Sequence, residues 1–203
     1  MPLETWLLYS AAALLLSLTP GPNGLLALTS GALYGTRKTL FMVMGGAAGF
    51  TIVIALSIAG IGALLQTSAH ILIVMKWAGG AYLVWLGIQV WRAPAPQVTL
   101  DREMAIPGRG VLFRQGFLAA VSNPKAILFF GAFLTQFIDP DRDLLIQFFV
   151  MASTFVMIEI ITEVVIASVA HRIRGWLTRS GRRFNQVCGT LFAAIGVSLP
   201  FTQ

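Results

Sequence analysis

Two long stretches without a charged residue constrain this chain more than any other feature. Residues 5–36 contain no Asp, Glu, Lys or Arg, and neither do residues 39–75. A helix that crosses the hydrocarbon core of a bilayer needs about 20 mainly apolar residues. The first stretch is long enough for one crossing, and the second for one crossing and the start of another. The pattern therefore predicts a protein that folds inside a membrane.

The composition excludes the main soluble alternatives. The chain is 57% hydrophobic and only 11% charged, whereas soluble domains carry about 25% charged residues. So few charges cannot cover the surface of a soluble enzyme of 203 residues. One Cys and two His argue against a disulfide, a redox pair or a soft-metal site. We expect no cofactor and, because no common catalytic motif occurs, no enzyme.

Hydropathy and the positions of the breaks predict an all-α integral membrane protein with six spans. The spans cover residues 6–33, 40–65, 71–91, 111–138, 144–170 and 184–200. The first span has no basic leader, since the first basic residue of the chain is Arg37. It is also too long for the apolar core of a signal peptide, so we interpret it as an uncleaved span.

The basic residues predict the orientation of these spans. Eleven of the 14 Lys and Arg lie in residues 37–38, 92–114 and 172–183, after the first, third and fifth spans. Cytoplasmic loops carry such an excess. We therefore expect a multi-pass protein of the bacterial inner membrane, surrounded by lipid, with both termini outside. This topology explains the net charge of +6 without a nucleic-acid partner. A homodimer stays an open alternative.

One linker divides the chain into two halves. Residues 93–110 hold three prolines and two glycines, and they separate residues 1–92 from residues 111–203. Each half contains three predicted spans, and an odd number of crossings gives the two halves opposite orientations. That is the topology of an inverted repeat. A weak echo supports it, because a shift of 102 residues places Pro22 on Pro124.

The first and fourth spans each contain a proline motif near the middle. A proline inside a helix costs about 3 kcal/mol, and freed backbone groups must face protein or a watery cavity. A plain kink is the alternative at each motif, but the symmetric pair favours a binding site. A broken helix exposes an N-terminus that suits a carboxylate. The predicted substrate-binding residues are Thr19, Pro20, Gly21, Pro22, Asn23, Asn123, Pro124 and Lys125.

The fifth span carries two carboxylates, Glu159 near its centre and Glu163 one turn further on the same face. A charge at that depth costs about 2.5–3.5 kcal/mol, and two carboxylates about 6 Å apart repel by about 3 kcal/mol. We expect the pair to titrate as a unit and to couple transport to protons. Glu159 is also a candidate ligand for a substrate ammonium group. The alternative is a structural pair bonded to a neighbouring span.

Three motifs follow one another along the chain. The first is Thr19-Pro20-Gly21-Pro22-Asn23. The second is a K-x2-G-x2-YL-x2-LG pattern formed by Lys76, Gly79, Tyr82, Leu83, Leu86 and Gly87. The third is Asn123-Pro124-Lys125, followed by Phe129-Phe130 and Phe133-Leu134-Thr135-Gln136-Phe137. In this order, the motifs resemble those of the lysine-exporter (LysE) family of bacterial amino-acid exporters, which includes a homoserine/threonine branch. The resemblance implies export driven by the proton-motive force.

Some residues depart from the family pattern. Asn23 stands where many members have Asp, so a carboxylate role is not carried over to it. Thr135 replaces a Pro, and Thr39 replaces a Gly. The pair Glu159 and Glu163 is not part of the pattern.

Three functions follow from these observations. The first is a secondary transporter for amino acids or related small metabolites, with its site between the two halves. The second is an inorganic cation exporter that uses the two Glu as ligands. The third is an intramembrane enzyme or an assembly scaffold. A scaffold does not need carboxylates near the midplane, and no nucleophile with its base is evident for an enzyme.

Overall fold

The structure is a computed structural model that describes residues 1–19, 21–65, 69–92, 94, 107–139 and 141–198. Eight α-helices are described: α1 (Leu3–Leu18), α2 (Pro22–Tyr34), α3 (Thr36–Leu65), α4 (Ala69–Arg92), α5 (Arg109–Val121), α6 (Pro124–Leu128), α7 (Leu144–Ser168) and α8 (Ala170–Ser198). A π-helical turn, Phe129–Phe133, and a 3-10 turn, Leu134–Gln136, continue α6. The described part of the chain contains helices, helical turns and short connections, and no strand.

Both proline motifs interrupt a helix, as the sequence predicts. α1 and α2 form a pair bent by 54°, and α5 and the segment from Lys125 to Gln136 form a pair bent by 46°. A proline begins the helix after each break, where its missing N–H costs nothing. By length and composition, α3 and α7 can each cross a membrane, and each bent pair can form one further span.

The last predicted loop and span differ from the structure. The sequence predicts a basic loop at residues 172–183 and a span at 184–200, but the backbone is helical from Ala170 to Ser198. No proline interrupts this segment, so its hydrogen bonds can continue through the basic residues. Hydropathy shows where the charged residues end, but a helix can begin earlier and continue through them. Parts of the predicted break after the second span, of the linker and of the last span lie outside the described residues. These parts are residues 66–68, 95–106 and 199–203.

The distribution of polar and apolar side chains is that of a membrane protein. Large apolar side chains face outward on both long apolar helices, for example Leu56 (69% exposed) on α3 and Phe149 (62% exposed) on α7. A soluble protein rarely exposes large continuous apolar patches. On α7, the two carboxylates point instead into the interior. This arrangement fits a protein that is surrounded by lipid.

Glycines allow the helices on one side of the bundle to approach closely. α3 packs against α5 so tightly that a Cβ at Gly45 would overlap the Phe113 carbonyl, and a Cβ at Gly116 would overlap the Met42 carbonyl. α2 approaches α7 in the same way at Gly31. Small residues at helix crossings are typical of membrane bundles, because they let backbones meet.

The contact between α4 and α8 is reciprocal. A Cβ at Gly87 would overlap Gly189 and Ala193, and a Cβ at Gly189 would overlap Gly87 and Trp91. Gly87 and Gly189 are 102 residues apart, and so are Trp91 and Ala193. Each glycine therefore packs against the other glycine and against the residue four positions after it.

Candidate functional site

The two helix breaks and the middle of α7 surround one small cavity. It has a volume of about 10 Å³, which is room for about one water molecule. Its walls are formed by Leu16, Ser17, Thr19, Gly21, Asn23, Gly24, Phe50, Asn123, Lys125, Ala126, Phe155 and Glu159. The structure thus brings together residues that are more than 100 positions apart in the sequence.

Buried aromatic rings close one side of this cavity. Phe50 and Phe155 line the cavity and contact each other edge to face, with ring centroids 5.2 Å apart. Phe130 packs on Phe155 in the same manner. Further toward the N-terminal end of α7, Tyr9 donates a hydrogen bond of 2.9 Å to the Met151 carbonyl. The rings of Phe50 and Phe155 form an apolar wall of the cavity.

The first break leaves a helix N-terminus open to the cavity. No side chain caps α2, which begins at Pro22 after the extended residue Gly21. The Thr19 hydroxyl does not serve as a cap, because it donates back to the Leu15 carbonyl at 2.7 Å. The first N–H groups and the positive dipole end of α2 therefore face a cavity wall that also contains Asn23 and Gly24.

At the second break, the side chain of Asn123 caps the helix that follows. The Asn123 Oδ1 atom accepts hydrogen bonds from the backbone N–H groups of Lys125 (3.1 Å) and Ala126 (3.4 Å). This is an N-cap, so Asn123 satisfies the end of α6 locally. The sequence predicts a binding role for Asn123, and the structure gives its oxygen a capping role on the cavity wall.

The Lys125 amine reaches from α6 across to the end of α1. Its Nζ donates to the Leu16 and Thr19 carbonyls, each at 2.8 Å. These carbonyls lie at the C-terminal end of α1, where no N–H group of the helix is left to donate to them. Lys125 therefore ties the two breaks together.

The two carboxylates occupy different positions. Glu159 is 6% exposed and lines the cavity. Glu163 is 1% exposed and does not line the cavity, but it lies near Asn23, because both side chains come within 4 Å of a Cβ placed at Gly46. Within the described residues, neither carboxylate lies within ion-pair distance of Lys125 or of an Arg. The sequence alone could not separate the two positions.

Several buried polar atoms around this pair lack a hydrogen-bond partner. In the described part of the chain they include both Glu163 oxygens, one Glu159 oxygen, both polar atoms of the Asn23 side chain and the Ser17 hydroxyl. An unsatisfied buried polar group costs about 1–3 kcal/mol, so a cluster of them is expensive. Such a cluster is typical of a site that takes up a polar ligand or a proton. No group of three or more His, Cys, Asp or Glu in the described residues could hold a metal ion.

Several residues around the site were missed by the sequence analysis. Ser17 lines the cavity together with Glu159, and a Cβ at Gly46 would lie 3.0 Å from the Asn23 amide nitrogen. The other lining residues that were not predicted are Leu16, Gly24, Phe50, Ala126 and Phe155. Ser17 carried a local signal, since it lies two residues before the first motif.

Two of the predicted site residues are described only in part or not at all. Pro20 lies outside the described residues, and Pro124 is described only as the first residue of α6. Six predicted residues line the cavity between the two breaks, namely Thr19, Gly21, Asn23, Asn123, Lys125 and Glu159.

Comparisons with known proteins agree with these features. The model of the LysE type translocator family matches residues 14–202. A homoserine/homoserine lactone efflux protein of Salmonella typhimurium is 33% identical over 98% of this chain and 97% of its own length. An uncharacterized membrane protein of Vibrio cholerae is 36% identical over 98% of both chains. A leucine efflux protein of Klebsiella pneumoniae is 29% identical over 75% of this chain and 73% of its own. No solved structure matches significantly.

The chain belongs to the LysE family of translocators. It is accordingly a membrane transport protein and not an enzyme, and its named relatives are efflux proteins for homoserine, homoserine lactone and leucine.

Proposed function

We propose that this protein exports an amino acid, or a related small metabolite, across the bacterial inner membrane in exchange for protons. The observation that carries the proposal is the cavity between the two broken helices. One wall has a carboxylate, Glu159, that forms no ion pair within the described residues, and another wall has a cation, Lys125. The names of the efflux relatives support this class of substrate.

The cavity offers a separate partner to each charge of an amino acid. The substrate carboxylate binds at the uncapped N-terminus of α2, beside Gly21 and Asn23. The substrate ammonium binds between Glu159 and the carbonyls at the end of α1, close to the Lys125 amine. Both partners are held by helix ends, so they are oriented before the substrate arrives.

Protons are carried by the carboxylate pair. Glu159 exchanges its proton when the substrate ammonium arrives, because it lines the cavity. Glu163 lies one turn away, near Asn23 and outside the cavity lining, and accepts or releases the proton without touching the substrate. Two buried carboxylates without an ion pair favour a shared proton over two charges. An inorganic cation would use the same oxygens, and the panel described below separates the two functions.

Alternating access is provided by two inverted repeats, residues 1–92 and 111–203. The reciprocal contact of Gly87 with Gly189 supports this architecture, since the two positions correspond under the shift of 102 residues. The helix contacts follow the same rule, because α3 against α5 corresponds to α7 against α1. Six spans, with both termini outside, give the two halves opposite orientations.

The size of the cavity indicates which step must come first. About 10 Å³ holds roughly one water molecule and no amino acid. The substrate therefore enters only after one half has rocked against the other and separated either the aromatic rings or the glycine contacts.

The test is uptake into proteoliposomes of labelled homoserine, homoserine lactone, leucine and a monovalent cation, with and without a pH gradient. We expect gradient-dependent flux of at least one amino acid. Glu159→Gln and Glu163→Gln should abolish the dependence on the gradient, while Glu4→Gln, at an exposed position, should retain it. Homoserine lactone lacks a free carboxylate, so it should compete poorly if the α2 end binds that group.

Two results would contradict the proposal. Full gradient-driven flux in both Glu159→Gln and Glu163→Gln would remove the carboxylates from the coupling mechanism. Flux of the cation, with none for any amino acid, would replace the substrate class.

A further inference from the structure

We propose that the Lys125 amine is an internal substitute for the ammonium group of the substrate. It occupies the position of the substrate ammonium when no substrate is bound. The empty binding site can then turn back to the side of the membrane where it takes up substrate. The inference rests on the proposed function, but it assigns Lys125 a role in the return step. In this role Lys125 is not a ligand of the substrate carboxylate.

The hydrogen bonds of Lys125 are those that a free ammonium group would make. Its Nζ donates to the Leu16 and Thr19 carbonyls at 2.8 Å each. These acceptors lie at the negative dipole end of α1, which is a general binding position for cations. An ammonium has three N–H donors, so one donor remains for the cavity that Lys125 lines.

Gly21 provides the space for this amine. Its backbone is extended, with φ −152° and ψ 179°, so its conformation does not require a glycine. A Cβ at this position, however, would lie 3.0 Å from the Lys125 Nζ atom and 3.2 Å from its Cε atom. The lysine amine therefore lies next to the space that a side chain at position 21 would need.

The charges in the cavity explain why the amine must move. Glu159 and Lys125 line the same cavity, and they form no ion pair within the described residues. A substrate ammonium that binds near Glu159 brings a second cation to the same carbonyls. Lys125 must then withdraw, and because it belongs to the second half of the chain, its withdrawal loosens the link between the two breaks.

Removal of the amine should affect the empty transporter more than the loaded one. In Lys125→Met, the carboxylate pair of the empty transporter shares one proton and keeps one negative charge, and neither this charge nor the free carbonyls of α1 has a cation near it. The penalty for an unpaired charge at this depth corresponds to a return step slowed roughly 100-fold. With substrate bound, the ammonium of the substrate supplies the missing charge, and the loaded transporter still moves.

The experiment compares net efflux with exchange in proteoliposomes that contain labelled homoserine. We expect net efflux by Lys125→Met to fall roughly 100-fold. Exchange against unlabelled homoserine on the opposite side should stay within a few-fold of the wild type. Methylammonium, a small free ammonium ion, should partly restore net efflux in this variant. Lys38→Met, at an exposed position of α3, is the matched control for loss of a lysine.

Three outcomes overturn the inference. Loss of exchange together with net efflux would make Lys125 a substrate ligand or a structural tether. Retention of both would remove it from the cycle. Wild-type protein that carries no compound of the uptake panel would refute the proposed function and this inference with it. Only the selective loss of net efflux supports an internal ammonium.

Discussion

A methyl group added at Gly116 tests the close packing of α3 against α5. Gly116 is buried, and a Cβ there would overlap the Met42 carbonyl oxygen and lie 3.0 Å from the Gly46 backbone nitrogen. Gly110 lies in the same helix, and a Cβ there would meet nothing within 4 Å. The variants Gly116→Ala and Gly110→Ala therefore add the same methyl group to one helix in two different surroundings.

The expected difference can be estimated from these contacts. Alanine improves helix propensity over glycine by up to about 1 kcal/mol, and this gain applies to both variants. Overpacking costs about 1–3 kcal/mol, and the upper end applies at Gly116 because the contacts are backbone atoms that cannot rotate away. The net result is a loss of about 2 kcal/mol for Gly116→Ala, which corresponds to a fall in Tm of about 4–8 °C for a chain of this size.

The assay is thermal unfolding of the purified variants in one detergent, followed by tryptophan fluorescence. Gly110→Ala should melt at or slightly above the wild type. Gly116→Ala should also lose transport, since its neighbour Gly46 borders Asn23 and Glu163. If Gly116→Ala and Gly110→Ala had the same Tm, a methyl group would fit between α3 and α5 at position 116. That result would contradict the close approach of the two helices.

Three further predictions concern the site and its surroundings. Asn123→Ala should lower stability by about 1 kcal/mol through loss of the α6 cap, measured as Tm, and Asn123→Asp should retain it. Gly21→Ala should reduce net efflux more than exchange by displacing the Lys125 amine, whereas Gly60→Ala, at an exposed position of α3 with nothing within 4 Å, should match the wild type in both assays. Tyr9→Phe should cost about 1 kcal/mol of stability through loss of a buried hydrogen bond, and transport at a temperature well below Tm should stay unchanged.

Much of the fold follows from local properties of the sequence. Long uncharged stretches are sufficient to predict membrane helices, because lipid excludes unpaired charges and unsatisfied backbone groups. The proline motifs are sufficient to predict both helix breaks, because a proline lacks the N–H that a helix interior needs. The spacing of Glu159 and Glu163 is sufficient to place both carboxylates on one face of α7. Each of these properties acts within a few residues.

Contacts between distant residues were decided only by the tertiary structure. The sequence assigned Asn123 and Lys125 to one carboxylate site, whereas Asn123 caps α6 and the Lys125 amine binds carbonyls of α1. The pattern also could not separate Glu159, which lines the cavity, from Glu163, which does not.

The continuity of α8 through a basic segment was equally hidden, because hydropathy records charge and not helix formation. The sequence by itself thus determined a membrane bundle of the LysE type with two broken helices. The packing of those helices, set by glycine contacts and by hydrogen bonds between residues more than 100 positions apart, decided which polar groups share the cavity.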